Sequence, residues 1–245
     1  MHSQKTNNVY TMKHLLLIVL SLVSSCALAQ VPKGAWKSQE PTGSTSILIV
    51  ADNYLSIASY SFNNKHFERA EGGPFTMKGD QMTYTPEFNS ADTSKIGIPI
   101  VFTITNKDDV LTLRYEEAMV WMRVDAAAGS PMAGAWHITE RSSNGEGDLV
   151  KIHQQGTRKT LKLLSGTRFQ WFAIDPAVKG FYATGGGTYI AKDGKYTENI
   201  QFFSKDNNRV GTSLKFDWKL SNGRWDHSGK SSDGKPIHEI WEKIQ

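Results

Sequence analysis

The chain has 245 residues, a formal net charge of +4, 39% hydrophobic residues and one cysteine, Cys26. A single cysteine excludes an intrachain disulfide framework. The small net charge, with no Lys/Arg run or basic stripe, argues against nucleic acid as a partner.

Segment 1–29 reads as a secretory signal peptide. Lys13 and His14 precede the apolar run Leu15 to Leu20, which continues through Ser21 to Val23, and Ala27-Leu28-Ala29 is a small-x-small cleavage signal before Gln30. The apolar core is too short to span a bilayer. Val23-Ser24-Ser25-Cys26 offers a second reading, a lipobox with a lipidated Cys26, and this is the one route to membrane attachment. Removing Lys5 and Lys13 lowers the formal charge from +4 to +2.

Beyond the leader the chain repeats itself. Gly34-Ala35-Trp36 returns as Gly134-Ala135-Trp136, Gly72-Gly73 as Gly186-Gly187, and Val120-Trp121-Met122 as Ile240-Trp241-Glu242. The separation is 100 residues at the first Trp, 114 from Leu55/Phe169 to Phe102/Phe216, and 120 at the last Trp. A register held so long, with insertions at only two places, indicates duplication with loop growth. The expected organisation is a first barrel over 31–125, a linker over 126–132 rich in small residues with Pro131, and a second barrel over 133–245.

Within each copy apolar residues alternate at period two. Ile100, Phe102 and Ile104 share one face, as do Tyr196, Glu198, Ile200 and Phe202, and then Leu214, Phe216 and Trp218. Turn signals recur at Asn63-Asn64, Lys78-Gly79-Asp80, Asp193-Gly194, Asn207-Asn208, Asn222-Gly223 and Asp233-Gly234. The fold class expected is all-β, two tandem antiparallel barrels of about eight strands each. Pairing the first and last Trp-bearing strands removes both sheet edges. Trp36, Trp121, Trp136 and Trp241 then plug the barrel ends as core. Gly72-Gly73 and Gly185-Gly186-Gly187 allow a bulge or sharp bend.

These residues resemble a known family. Gly-x-Trp on the first strand is similar to the lipocalin and wider calycin signature. The second copy resembles a lipocalin-like family of unknown function from secreted proteins of Gram-negative bacteria, through Thr167-Arg168-Phe169-Gln170-Trp171, Gly186-Gly187-Thr188-Tyr189 and Tyr196-Thr197-Glu198. The resemblance implies a closed barrel with a mouth at one end, and a secreted, periplasmic or outer-membrane-surface location. It implies no established activity. The first copy departs from the pattern, with Ile57, Pro74, Phe75 and Tyr84 where the second has Trp171, Thr188, Tyr189 and Glu198. Its interior is expected to be filled, and any polar site falls in the second copy.

The candidate ligand-binding residues are Arg168, Trp171, Tyr182, Tyr189, Glu198, His227, His238 and Trp241, which can converge inside one small barrel. An inward Glu198 needs a partner, for which Arg168 or a tyrosine hydroxyl is the expectation. That carboxylate reads as a structural brace, a ligand anchor or an acid–base group. No H-x-H, HExxH or Cys-rich spacing occurs, so no metal or cofactor is expected. No Gly-x-Ser-x-Gly elbow occurs either, and no catalytic residue is assigned. The reading is a lipocalin-like protein that binds a small, partly apolar molecule in its second barrel. The alternatives are a protein- or glycan-interaction module with filled barrels, and a calycin-type hydrolase or isomerase.

Overall fold

A computed structural model of the chain describes residues 31–39 and 43–244. The proposed leader and Cys26 lie outside the described residues.

Nine strands form the first sheet: β1 (Gly34–Gln39), β2 (Thr45–Ala51), β3 (Tyr54–Ser61), β4 (His66–Lys78), β5 (Gln81–Tyr84), β6 (Phe88–Asn89), β7 (Ile100–Lys107), β8 (Val110–Arg114) and β9 (Ala118–Ala126). Nine more form the second: β10 (Gly134–Arg141), β11 (Val150–Lys151), β12 (Lys159–Leu164), β13 (Arg168–Asp175), β14 (Gly180–Lys192), β15 (Lys195–Phe203), β16 (Ser213–Ser221), β17 (Arg224–Lys230) and β18 (Pro236–Lys243). All pairings are antiparallel. In each sheet eight strands close into a barrel, the first and last being joined by β1–β9 and β10–β18 pairing. The ninth strand is a two-residue extra, β6 on β4 and β11 on β10. Closure pairs the terminal strands with each other, which is what the paired Trp strands called for.

The first barrel has a buried, mostly apolar interior. Trp36, Leu48, Leu55, Met82, Leu111, Leu113 and Trp121 form one buried cluster in its interior. In the second barrel the matching cluster is built on Trp136, Phe169, Tyr196, Phe216, Trp225 and Trp241. The glycine pairs act as the sequence suggested. A Cβ on Gly73 would lie 2.0 Å from the Thr85 carbonyl, and one on Gly187 would lie 2.0 Å from the Asn199 carbonyl. A side chain at either position would push the neighbouring strand away.

A third cluster lies between the barrels. Outward residues of β2, β3 and β6, including Ile47, Tyr54, Tyr60 and Phe88, pack on Leu161, Leu163, Phe172, Ile174 and Phe202 of the second barrel. The rings of Phe88 and Phe172 meet tilted at 4.5 Å, and Tyr60 stacks on Phe202 at 4.7 Å. Two aspartates clip the junction. Asp52 accepts the Ala135 amide at 2.9 Å, and Asp125 accepts both the Ala35 amide and the Gly166 amide at 3.1 Å.

Phe202 corrects the period-two reading. It was expected inward with Ile200, but β15 carries a bulge opposite Gly186/Gly187, where Gly187 pairs with Ile200 and Gly186 with Phe202. The extra residue, Gln201, flips everything after it. Phe202 therefore faces the first barrel, and Phe203 turns inward.

Candidate functional site

The interior of the second barrel contains a cavity of about 600 Å³. Its walls include Trp171, Phe203, Leu214, Phe216 and Trp241, and its polar groups include Lys162, Glu198, His227 and Glu239. Two loops border it. One joins β10 to β12 and contributes Ser143, Asn144 and His153, and the other joins β17 to β18 and contributes Ser231, Asp233 and Lys235. These are the two places where the second copy is longer than the first. The inserted residues thus surround the cavity.

The four polar groups form two pairs. Lys162 Nζ donates to Glu198 Oε1 at 2.9 Å, with both side chains 5% exposed. The ammonium also lies 4.9 Å from the Trp241 ring centroid and 5.1 Å from that of Trp225, within cation–π range. Opposite it, β17 and β18 place His227 directly across from Glu239, with Nδ1 and Oε2 3.4 Å apart. The Trp241 indole N–H donates to the same carboxylate at 3.1 Å.

Burial is the largest influence on His227, and with the Lys162 charge it holds the imidazole below its ordinary 6.5, against the opposing pull of Glu239. Burial also works to raise the Glu239 carboxyl. The His227 contact, the Lys162 charge and the Trp241 N–H outweigh it and leave Glu239 below its usual value. A neutral His227 that donates from Nδ1 keeps a lone pair on Nε2. That nitrogen is buried and has no hydrogen-bond partner among the described residues. It can accept a hydrogen bond or a proton from a bound molecule.

Comparison of the copies shows how this interior arose. Lys162 stands where the first barrel has Leu48, Glu198 where it has Tyr84, and His227 where it has Leu113, all 114 residues apart. Glu239 faces His227 as Met119 faces Leu113. Three buried positions of the first barrel, Leu48, Tyr84 and Leu113, and the exposed Met119 thus correspond to a polar quartet in the second.

Of the expected site residues, Trp171, Glu198, His227 and Trp241 line this one cavity. The other four lie elsewhere. Arg168 was one of the two expected partners of Glu198, the other being a tyrosine hydroxyl, but it alternates to the opposite face of β13 from Phe169 and Trp171. There it donates to Gln201 at 2.8 Å against the first barrel. The true partner, Lys162, was missed, although the constant separation pairs it with Leu48. Tyr182 is the extra residue of a bulge on β14, where Ile174 pairs with Phe181 and Ala173 with Ala183, and Arg158 stacks on its ring at 4.5 Å. Tyr189 is buried, its hydroxyl donating to the Ser165 carbonyl and meeting Ser130 Oγ, both at 2.6 Å. His238 alternates away from His227 and pairs with Asp226 at 3.1 Å. Among the described residues, no group of three or more His, Cys, Asp and Glu is arranged to hold a metal ion.

Residues 131–245 match the model of a family described as a domain of unknown function, DUF4488. The match spans the second barrel and the last part of the linker. No curated protein matches the chain.

Proposed function

We propose that this chain binds a small, partly apolar molecule in the cavity of its second barrel. The body of the ligand rests on Trp171, Leu214, Phe203 and Trp241, while the Lys162–Glu198 and His227–Glu239 pairs orient its polar end. The observation that carries this reading is the contrast between two barrels of common origin. One has an interior of buried, mostly apolar side chains. The other carries Lys162, Glu198 and His227 where the first has the buried Leu48, Tyr84 and Leu113, and both loops that border its cavity are longer. Buried polar groups lower stability unless they are satisfied, so their concentration beside a cavity favours a binding role over a packing role.

On the Gly-Ala-Trp strands and the eight-stranded closure, we read both barrels as calycin-type, and on segment 1–29 we read the chain as exported from a Gram-negative cell. N-terminal sequencing of the mature protein checks the export. Native mass spectrometry of the full chain, purified from a bacterial extract, checks the binding. The expected result is added mass that is reduced or lost in Leu214→Trp, whose larger side chain intrudes on the cavity. A folded Leu214→Trp protein that retains the same added mass would place the ligand elsewhere.

A further inference from the structure

The buried charges of the second barrel do not cancel. Lys162 and Glu198 account for each other at 2.9 Å. Glu239, with its side chain only 17% exposed, meets no Lys or Arg within ion-pair distance among the described residues. Its partners are the indole N–H of Trp241 and the imidazole of His227. With His227 neutral, the interior holds one uncompensated carboxylate.

Of the side chains that line the cavity, only His227 has a buried polar atom without a partner among the described residues. His227 Nε2, on a side chain 2% exposed, is an acceptor without a partner among the described residues. Trp171, Phe203, Phe216 and Trp241 present aromatic surface to the same space. Arg141, Asp233 and Lys235 stand at the rim, where they are exposed and water screens them. Asp233 and Lys235 also pair with each other at 3.4 Å. The charge felt by a molecule inside is therefore set by the quartet, and a carboxylate head would add a second uncompensated anion where screening is weak.

We propose that the ligand of this cavity is a small organic amine, its ammonium seated against Glu239 and its apolar body against the aromatic wall. This rests on the cavity being a binding site, and it names the chemistry of the occupant. Ammonium N–H groups match the carboxylate and the free imidazole nitrogen, and the surrounding rings favour a cation.

The test is a titration of the full chain at neutral pH with three molecules sharing one body: phenethylamine, phenethyl alcohol and hydrocinnamate, read by calorimetry. Phenethylamine is expected to bind at least about tenfold more tightly than hydrocinnamate, a difference equivalent to about 1.4 kcal/mol. In Glu239→Gln that preference should collapse. Hydrocinnamate binding as tightly as the amine overturns the inference and leaves a binding cavity standing. If none of the three binds, the binding reading itself fails. Should Glu239→Gln not fold, the wild-type series decides alone.

Discussion

Lys162 and Glu198, on β12 and β15, meet at 2.9 Å inside a barrel whose sister carries Leu48 and Tyr84 at the same two positions. A buried ion pair adds little net stability compared with an apolar pair of similar volume, but losing one partner leaves a bare charge in the core. Lys162→Met is therefore expected to lower unfolding free energy by about 3–5 kcal/mol. The double change Lys162→Leu with Glu198→Tyr restores the sister barrel's pairing and should recover most of that loss. Urea unfolding of the three proteins decides the point. If the double variant is no more stable than the single one, the pair is not what the core depends on.

His227 makes stability depend on pH. Its folded-state pKa lies below the ordinary 6.5 because burial disfavours the imidazolium. Between the two values the unfolded chain binds a proton that the folded chain does not, so stability rises with pH across that window. The contribution is complete above about pH 6.5 and is lost as pH falls through the folded value. Glu239 and Asp52 act lower, below their ordinary 4.5 and 3.8. Glu71 is raised by burial and has the opposite sign, but it is common to both proteins compared. Denaturant midpoints measured from pH 8 to pH 5 should show wild type losing stability relative to His227→Gln on acidification. Parallel curves would mean that His227 titrates normally in the fold.

What was legible in the sequence follows from how each residue signals its place. The duplication was readable because Trp and Gly positions are few and widely spaced, and Glu198 was readable as inward because it alternates with Tyr196 and Ile200. Lys162 was not, because Leu161-Lys162-Leu163-Leu164 is apolar on both faces: Leu161 and Leu163 serve the junction, Leu164 the interior. In such a run a lysine reads as pointing to solvent. Arg168 was chosen for its charge, although its parity with Trp171 places the two on opposite faces of β13. Phe202 was lost to the bulge, which strict alternation cannot register. The junction was invisible for a related reason, since outward aromatics such as Tyr60 and Phe88 look like core until a second barrel is set against them.

That junction predicts strong coupling between the halves. Phe172 is fully buried and packs on Tyr54 and Phe88 of the other barrel. Phe172→Ala in the full chain should cost about 3–5 kcal/mol. Segments 31–128 and 131–245, produced separately, would each expose an aromatic face. They are expected to self-associate alone and to form a one-to-one complex when mixed, as read by sedimentation. Two monomeric halves that ignore each other would show that the shared cluster contributes little.

The bulge beside Glu198 offers the last test. A Cβ on Gly187 would sit 2.0 Å from the Asn199 carbonyl and 2.8 Å from the Gln201 amide, both main-chain groups that move only if β15 moves. Gly194, in the β14–β15 turn at φ +73°, has nothing within 4 Å of the same construction. Gly194→Ala therefore carries only the cost of a left-handed backbone, about 1–2 kcal/mol. Gly187→Ala adds overpacking, for a loss of about 3 kcal/mol, and it displaces the segment next to Glu198. The two variants should consequently differ in the site as well as in stability. Gly187→Ala loosens the Lys162–Glu198 contact and raises amide exchange along 197–201, whereas Gly194→Ala leaves exchange there unchanged. Equal exchange in the two would show that the bulge does not hold β15 in register.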